Sequence, residues 1–271
     1  MFSPFRAVAR LIIYLGWTGL LMPLQAVCLL LGLPLAKRLP RIYHRNCCRI
    51  MSLRLVVQGR QETAPSTLYV ANHTSYLDIS VLGAAISGSF VAKAEVAGWP
   101  LFGWLAKLQR TVFVDRRVSA TATQRDQIGY RLDAGDSLIL FPEGTSSDGN
   151  RILPFKSALF SVAQIEVGGR PITVQPVSVA YTKLEGLPMG RALRPFFAWY
   201  GDMEMGAHVW RMLGLGGFTV VVTFHEPVTI ADFGSRKALA VHCRTAIAAG
   251  MAAALSGRAL PAPRPAASAP A

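Results

Sequence analysis

From Leu11 to Leu35 the chain runs without a charged residue and is mostly apolar, long enough to span a bilayer. Pro23 interrupts this run, and Gly16, Gly19 and Gly32 punctuate it. Two arrangements fit: a single span, or a helix that dips into one leaflet and returns. Arg41–Leu55 then alternates basic and apolar residues at roughly helical spacing, which predicts an amphipathic helix lying in the interface. From Leu55 the pattern shortens. It predicts strands at Leu55–Gln58, Thr67–Ala71, Phe90–Ala92, Thr111–Val114, Ser137–Phe141, Ile172–Ala180 and Phe218–Phe224. It predicts helices near Tyr76–Ile86, Trp99–Leu108, Ser119–Leu132, Lys156–Val167 and Ser235–Leu255. Such alternation argues for an α/β fold in which helices cover a mixed sheet. Three segments follow: membrane-associated helices over 1–54, an α/β domain over 55–256, and a disordered Ala/Pro-rich tail over 257–271.

Composition sharpens the first segment. The chain of 271 residues is 52% hydrophobic and only 16% charged, yet its formal charge is +13. No Asp or Glu precedes Glu62, whereas Arg6, Arg10, Lys37, Arg38, Arg41, Arg45, Arg49, Arg54 and Arg60 do. An apolar, basic arm suits an anionic membrane surface. Nucleic acid is excluded as a partner, because no folded pattern interleaves aromatic with basic residues. Cys28, Cys47, Cys48 and Cys243 form no metal-ligand spacing and fit a reducing, cytoplasmic environment. No metal is expected.

The chemistry concentrates at strand ends. Asn72-His73-Thr74-Ser75-Tyr76-Leu77-Asp78 follows an apolar run. A helix starting just after His73 returns Asp78 beneath the imidazole, where it accepts from one ring N–H and leaves the other nitrogen to take a proton. With no nucleophile in a strained turn, direct proton abstraction from a substrate is the natural chemistry. The other reading is a helix cap with a satisfied histidine. Thr111-Val112-Phe113-Val114-Asp115-Arg116 ends a strand on a cation suited to phosphate or carboxylate. Phe141-Pro142-Glu143-Gly144-Thr145 breaks a strand into a turn bearing a carboxylate and a hydroxyl. His44 reads as interfacial, and His208, His225 and His242 as structural. Trp99 and Trp104 either pack the core or line an acyl groove.

In this order His73-x4-Asp78, Phe113-x2-Arg116, Phe141–Thr145 and Val174-Gln175-Pro176-Val177 resemble the glycerophospholipid acyltransferase family over roughly Leu55 to Val228. The resemblance implies one acyltransferase domain with His73 as general base and Asp78 as its orienter. It implies that Phe113, Arg116, Glu143, Gly144 and Thr145 bind the polar end of the acceptor, and that Pro176 shapes the acyl-donor side. Lys156 stands where the family often carries a basic residue, and Lys93 similarly follows a strand. Two positions depart from the pattern. Arg110 occupies a place that is usually Gly, and Ser146 one that is usually Arg. Phe141–Phe160 and Ala198-Trp199-Tyr200-Gly201-Asp202 also resemble the lyso-ornithine lipid acyltransferases of that family.

The implied reaction moves a fatty acyl group from acyl-ACP or acyl-CoA, as co-substrate, to a lysolipid hydroxyl at the cytoplasmic face of the inner membrane. No other cofactor is implied. The first expected acceptor is 1-acylglycerol-3-phosphate, giving phosphatidate; the alternative is lyso-ornithine lipid. A transacylase or hydrolase is a remoter reading, and the absence of Gly-x-Ser-x-Gly counts against a lipase.

Overall fold

The computed structural model describes residues 2–114 and 122–258. Two long helices, α1 (Pro4–Leu30) and α2 (Leu35–Ile50), lead into β1 (Leu53–Gln58), β2 (Leu68–Ala71), α3 (Leu77–Ala85) and β3 (Ser89–Lys93). Then come α4 (Phe102–Leu108), β4 (Val112–Val114), α5 (Ala122–Asp133) and β5 (Leu138–Leu140). A small hairpin, β6 (Glu166–Val167) and β7 (Arg170–Pro171), precedes β8 (Val174–Leu184) and its short partner β9 (Leu187–Pro188). The chain closes with α6 (Met205–Gly214), β10 (Phe218–Phe224) and α7 (Arg236–Ser256).

The main sheet runs β1-β10-β8-β2-β5-β3-β4, with β9 on β8. It is mixed, as the alternation predicts: β10 and β8 pair antiparallel, while β8, β2, β5, β3 and β4 run parallel. Period-two side-chain alternation builds two cores. Tyr69, Ala71, Ile139, Phe141, Val177 and Val179 face one side, under α2, α3 and α6. Leu68, Val70, Leu138, Leu140 and Val174 face the other, under α5 and α7.

Several elements differ from the sequence expectation. The helix expected at Lys156–Val167 is a shorter 3-10 helix, Ser157–Gln164. No pattern announced α6, whose register ends in the glycine-rich Gly214–Gly217 stretch. The amphipathic helix is α2 and stops at Ile50, because Leu53 already pairs with Phe218. His44, expected at the interface, is buried within it. Residues 115–121, which hold Arg116, and residues 259–271 of the expected tail lie outside the described residues.

Both α1 and α7 are long and apolar enough to cross a membrane. They differ in what they cover. Leu239, Cys243, Ile247 and Met251 of α7 pack into the second core. In α1 the inward stripe is partly polar: Arg10, Thr18 and Gln25 are buried, while Ile12, Ile13, Leu20, Leu24 and Val27 face outward. Arg10 donates to the carbonyls of Leu213 (3.0 Å) and Leu215 (2.7 Å) and to Ser52 Oγ (2.7 Å), which ties α1 along the domain. Such an inside-out helix is at home where its surroundings are apolar.

Candidate active site

The parallel strands β2, β5 and β3 deliver their carboxyl ends to one edge, the usual location of a ligand site in an α/β sheet. As β2 ends, the Asn72 side chain takes over its ladder. Its Nδ2 donates to Val179 O (2.9 Å), and its Oδ1 accepts from Val179 N–H (2.8 Å). The next residue, His73, is thereby held at the sheet edge.

His73 Nδ1 lies 2.8 Å from Asp78 Oδ2. Helix α3 starts only at Leu77, later than the sequence suggests, so Asp78 occupies its first turn and the loop before it wraps the carboxylate. Oδ2 also accepts from the N–H groups of Thr74 (2.6 Å) and Ser75 (2.9 Å), while Oδ1 accepts from the Tyr181 hydroxyl (2.8 Å). Asp78 is fully buried, and both its oxygens are hydrogen-bonded. With Asp78 accepting at Nδ1, the free lone pair falls on Nε2. That nitrogen makes no hydrogen bond among the described residues. The ring stacks on Phe141, with centroids 4.2 Å apart and planes at 21°, a face on which an imidazolium is stabilised.

The remaining expected residues divide by position. Glu143 is buried, and both its oxygens are engaged: Oε1 accepts from His73 N–H and Oε2 from Leu153 N–H, each at 2.8 Å. It braces the histidine's backbone and does not present an open carboxylate to a head group. Burial, opposed by those two N–H donors, pushes its carboxyl up to about 7. Gly144, Thr145 and Ser146 line the same cavity as His73, and Gly144 adopts a φ of 77°. Phe113 sits half-buried opposite Ala92 on β4 and is not among the residues lining that cavity. Neither is Lys156, which is exposed, nor Pro176, buried in the sheet beside Val70.

Arg110, which stands where the resemblance expects glycine, is committed to an ion-pair cluster away from the cavity. Its Nη2 donates to Asp136 Oδ2 at 2.7 Å, where Arg131 Nε (2.7 Å) and Lys37 Nζ (3.1 Å, to Oδ1) also converge. Its φ is 62°, which explains the glycine that the family resemblance expects there. Lys93 is the one Lys or Arg among the described residues lining the cavity.

The cavity has a volume of ≈ 560 Å³ and is mostly apolar. Its walls come from α1 (Leu11, Tyr14, Leu21), α2 (Leu39, Tyr43), α3 and α4, so the N-terminal helices shape the site as well as precede it. Trp199, Tyr200 and Gly201 line it too. Their segment is laced to the histidine loop: Trp199 N–H donates to Thr74 O (3.0 Å), and Ser146 Oγ donates to Trp199 O. Asn72 and Tyr181 escaped the motif reading. The one available signal for Tyr181 was its even spacing from Val177 and Val179 on the core face.

This geometry pairs a histidine with a buried carboxylate at the mouth of an apolar cavity of ligand size, an arrangement suited to general-base chemistry. Comparison with known proteins identifies the class. Residues 54–180 match the acyltransferase family. The lyso-ornithine lipid O-acyltransferase of Brucella abortus is 44% identical over 89% of this chain and 92% of its own length. The 1-acyl-sn-glycerol-3-phosphate acyltransferase of Neisseria gonorrhoeae is 32% identical over 64% of each chain. The crystal structure of the 1-acyl-sn-glycerophosphate acyltransferase PlsC from Thermotoga maritima shares the fold, with a TM-score of 0.59 and 21% identity over 94% of this chain and all of that one. The chain belongs to the acyltransferase family.

Proposed function

We propose that the chain is a lysolipid O-acyltransferase whose principal acceptor is lyso-ornithine lipid. The observation that carries this is the His73–Asp78 pair on the wall of an acyl-sized apolar cavity. His73 Nε2 takes the proton of the acceptor hydroxyl as its oxygen attacks the thioester carbonyl of acyl-ACP or acyl-CoA. Asp78 holds the tautomer and offsets the imidazolium charge. The tetrahedral intermediate collapses, the C–S bond breaks, and the thiolate recovers the proton from His73. The products are an ester and a free thiol, with no acyl-enzyme and no further cofactor.

The acceptor assignment rests on the Brucella relative and on the charge around His73. A phosphate monoester wants several cations, and the described cavity wall offers Lys93. Ser146, where a phosphate-binding arginine would stand, is turned to the Trp199 carbonyl. Arg116 remains a candidate for the acceptor's carboxylate or phosphate. The second reading, 1-acylglycerol-3-phosphate, has the Neisseria relative in its favour. Purified enzyme offered both acceptors side by side, with both donors, decides between them. A larger kcat/KM for the phosphate acceptor overturns the assignment. Ser146→Arg is expected to shift the ratio toward phosphate.

The outward leucines and isoleucines of α1 support a helix lying in the cytoplasmic leaflet of the inner membrane, and the tether of Arg10 to α6 argues against a through-going span. Arg38 and Arg49 are exposed for anionic lipid, whereas Lys37 is paired with Asp136 and Arg45 donates to the Ala84 carbonyl. Arg41 contributes less than the sequence suggests, since it donates to the Ala84 and Ala85 carbonyls at the end of α3. Charged substitutions at Ile13 and Leu20 are expected to release the protein from anionic vesicles; unchanged binding overturns this attachment.

A further inference from the structure

Besides His73 and His44, the charged or titratable polar side chains of the described cavity wall include one Lys, Lys93, and one carboxylate, Glu95. They are of opposite sign and two positions apart. Lys93 closes β3, and Glu95 lies in the 3-10 helix Ala94–Gly98 that follows. Neither side chain has a hydrogen-bond or ion-pair partner among the described residues. Asp136 is matched by three cations, whereas Glu95 stands on the wall of the catalytic cavity with none.

Aromatic side chains continue that wall from Glu95 back to the histidine loop. Trp99 caps the same 3-10 helix, about 8 Å along its axis from Glu95 at a rise of about 2 Å per residue. The Trp99 and Trp199 rings meet at 6.3 Å and 87°, and the Trp199 and Tyr76 rings at 6.2 Å and 62°. Two of the three are pinned. Trp199 Nε1 donates to Met203 O (2.9 Å), and the Tyr76 hydroxyl lies 3.0 Å from His208 Nδ1. All three residues line the cavity, and Trp199 N–H donates to Thr74 O, next to His73. Such rings attract a cation through their quadrupoles.

An acceptor that brings a hydroxyl to His73 therefore presents its head group to one cation, one carboxylate and electron-rich rings. A phosphate monoester is attracted by Lys93 but repelled by Glu95. A head group with one carboxylate and one ammonium matches both charges.

We propose that Glu95, with the rings of Trp99 and Trp199 beside it, binds the ammonium of a zwitterionic amino-acid head group, so that this wall selects the acceptor by its positive charge. The inference deepens the acceptor reading above and rests on it. Glu95 acts on the head group and not at the reacting hydroxyl, so its loss is felt in acceptor affinity.

The test uses the full-length enzyme, one thioester donor and three acceptors with the same acyl chain. They are lyso-ornithine lipid, the same lipid built on norvaline, which keeps the carboxylate and lacks the ammonium, and 1-acylglycerol-3-phosphate. In wild type, kcat/KM for the ornithine lipid is expected to exceed that for the norvaline lipid by about tenfold, the order expected of one hydrogen bond to a charged group. Glu95 is exposed, so Glu95→Gln spares the core, and circular dichroism checks the fold. In that variant the ratio is expected to fall toward one, chiefly through a raised KM for the ornithine lipid, and the preference for ornithine over phosphate acceptor should fall with it. Trp99→Leu should lower the same ratio by a smaller factor. Equal kcat/KM for the ornithine and norvaline lipids in wild type overturns this inference and leaves the acceptor reading standing. A ratio that persists in folded Glu95→Gln overturns it too. Transfer by wild type to the phosphate acceptor alone overturns the acceptor reading and this inference with it.

Discussion

Two buried aspartates show how differently one fold uses a carboxylate. Asp136 is surrounded by cations: Arg131, Arg110 and Lys37 reach it from α5, from the turn before β4 and from α2. Burial works against its ionisation, but those partners overrule it, and the carboxyl sits below its ordinary range. Asp78 is held instead by two backbone N–H groups, the Tyr181 hydroxyl and His73. Those donors solvate a negative charge without cancelling it. Asp136 thus joins three elements, whereas Asp78, in the proposed mechanism, faces no charge partner other than the His73 ring. Placing a cation beside Asp78 would weaken it as a partner for the imidazolium.

The largest effect should come from breaking the second arrangement. His73→Ala is expected to lower acyl transfer by at least about a thousandfold, and Asp78→Asn by a comparable factor through the wrong tautomer, with melting temperature little changed for His73→Ala. Steady-state kinetics on folded protein checks both; wild-type turnover in either variant would remove the mechanism. Asp136→Asn should do the reverse. It leaves Arg110 and Arg131 without their charge partner, and stability should fall by on the order of 2–3 kcal/mol, less than for a fully buried pair because Lys37 is more than half exposed. Its kcat per folded molecule should stay within about twofold of wild type, as urea titration alongside kinetics will show.

A finer cut is Tyr181→Phe. One oxygen of Asp78 then loses its donor, at a cost of about 1–3 kcal/mol in stability, and kcat should fall about tenfold because the orienter is less firmly held. A stability loss without any change in kcat would make Tyr181 a packing residue only. The last cut leaves the catalytic pair in place and concerns Glu143. Its native carboxyl is raised from the usual 4.5 to about 7, so the folded state binds the proton more tightly than the unfolded one. The stability it contributes is largest below 4.5 and is lost as pH rises through about 7. Glu143→Gln should flatten that decline in urea-derived stability. An identical slope in both proteins counts against the shift.

What could be read from the sequence follows contact distance along the chain. His73 and Asp78 are five residues apart, and a local turn brings them together, so their contact could be anticipated from spacing, although a helix cap fitted the same spacing until the later motifs were read. The direction of Glu143 was hidden, because its partner His73 lies on a separate segment brought beside it through the β2–β5 register, and Leu153 returns to it from later in the same loop. Tyr181 reaches Asp78 from β8, and Trp199 reaches Thr74 from beyond β9; neither proximity has a one-dimensional signal. Arg110 departs from the family pattern for a reason that lies in the fold. Its left-handed backbone and its bond to Asp136 make it architectural. For α1, hydropathy gave the outward face, but the buried Arg10, Thr18 and Gln25 become meaningful only once the helix is laid along the domain.

The stacking of His73 on Phe141 has a spectroscopic consequence. Carbon-bound protons of an imidazole held 4.2 Å above an aromatic face lie in its shielding cone. Their resonances should therefore appear upfield of those of an unstacked histidine such as His225. That displacement makes His73 addressable without a probe. Titrating in an acyl thioester while following this one signal would report whether the ring keeps its stack when the cavity fills, or slides off the phenyl to meet the incoming hydroxyl.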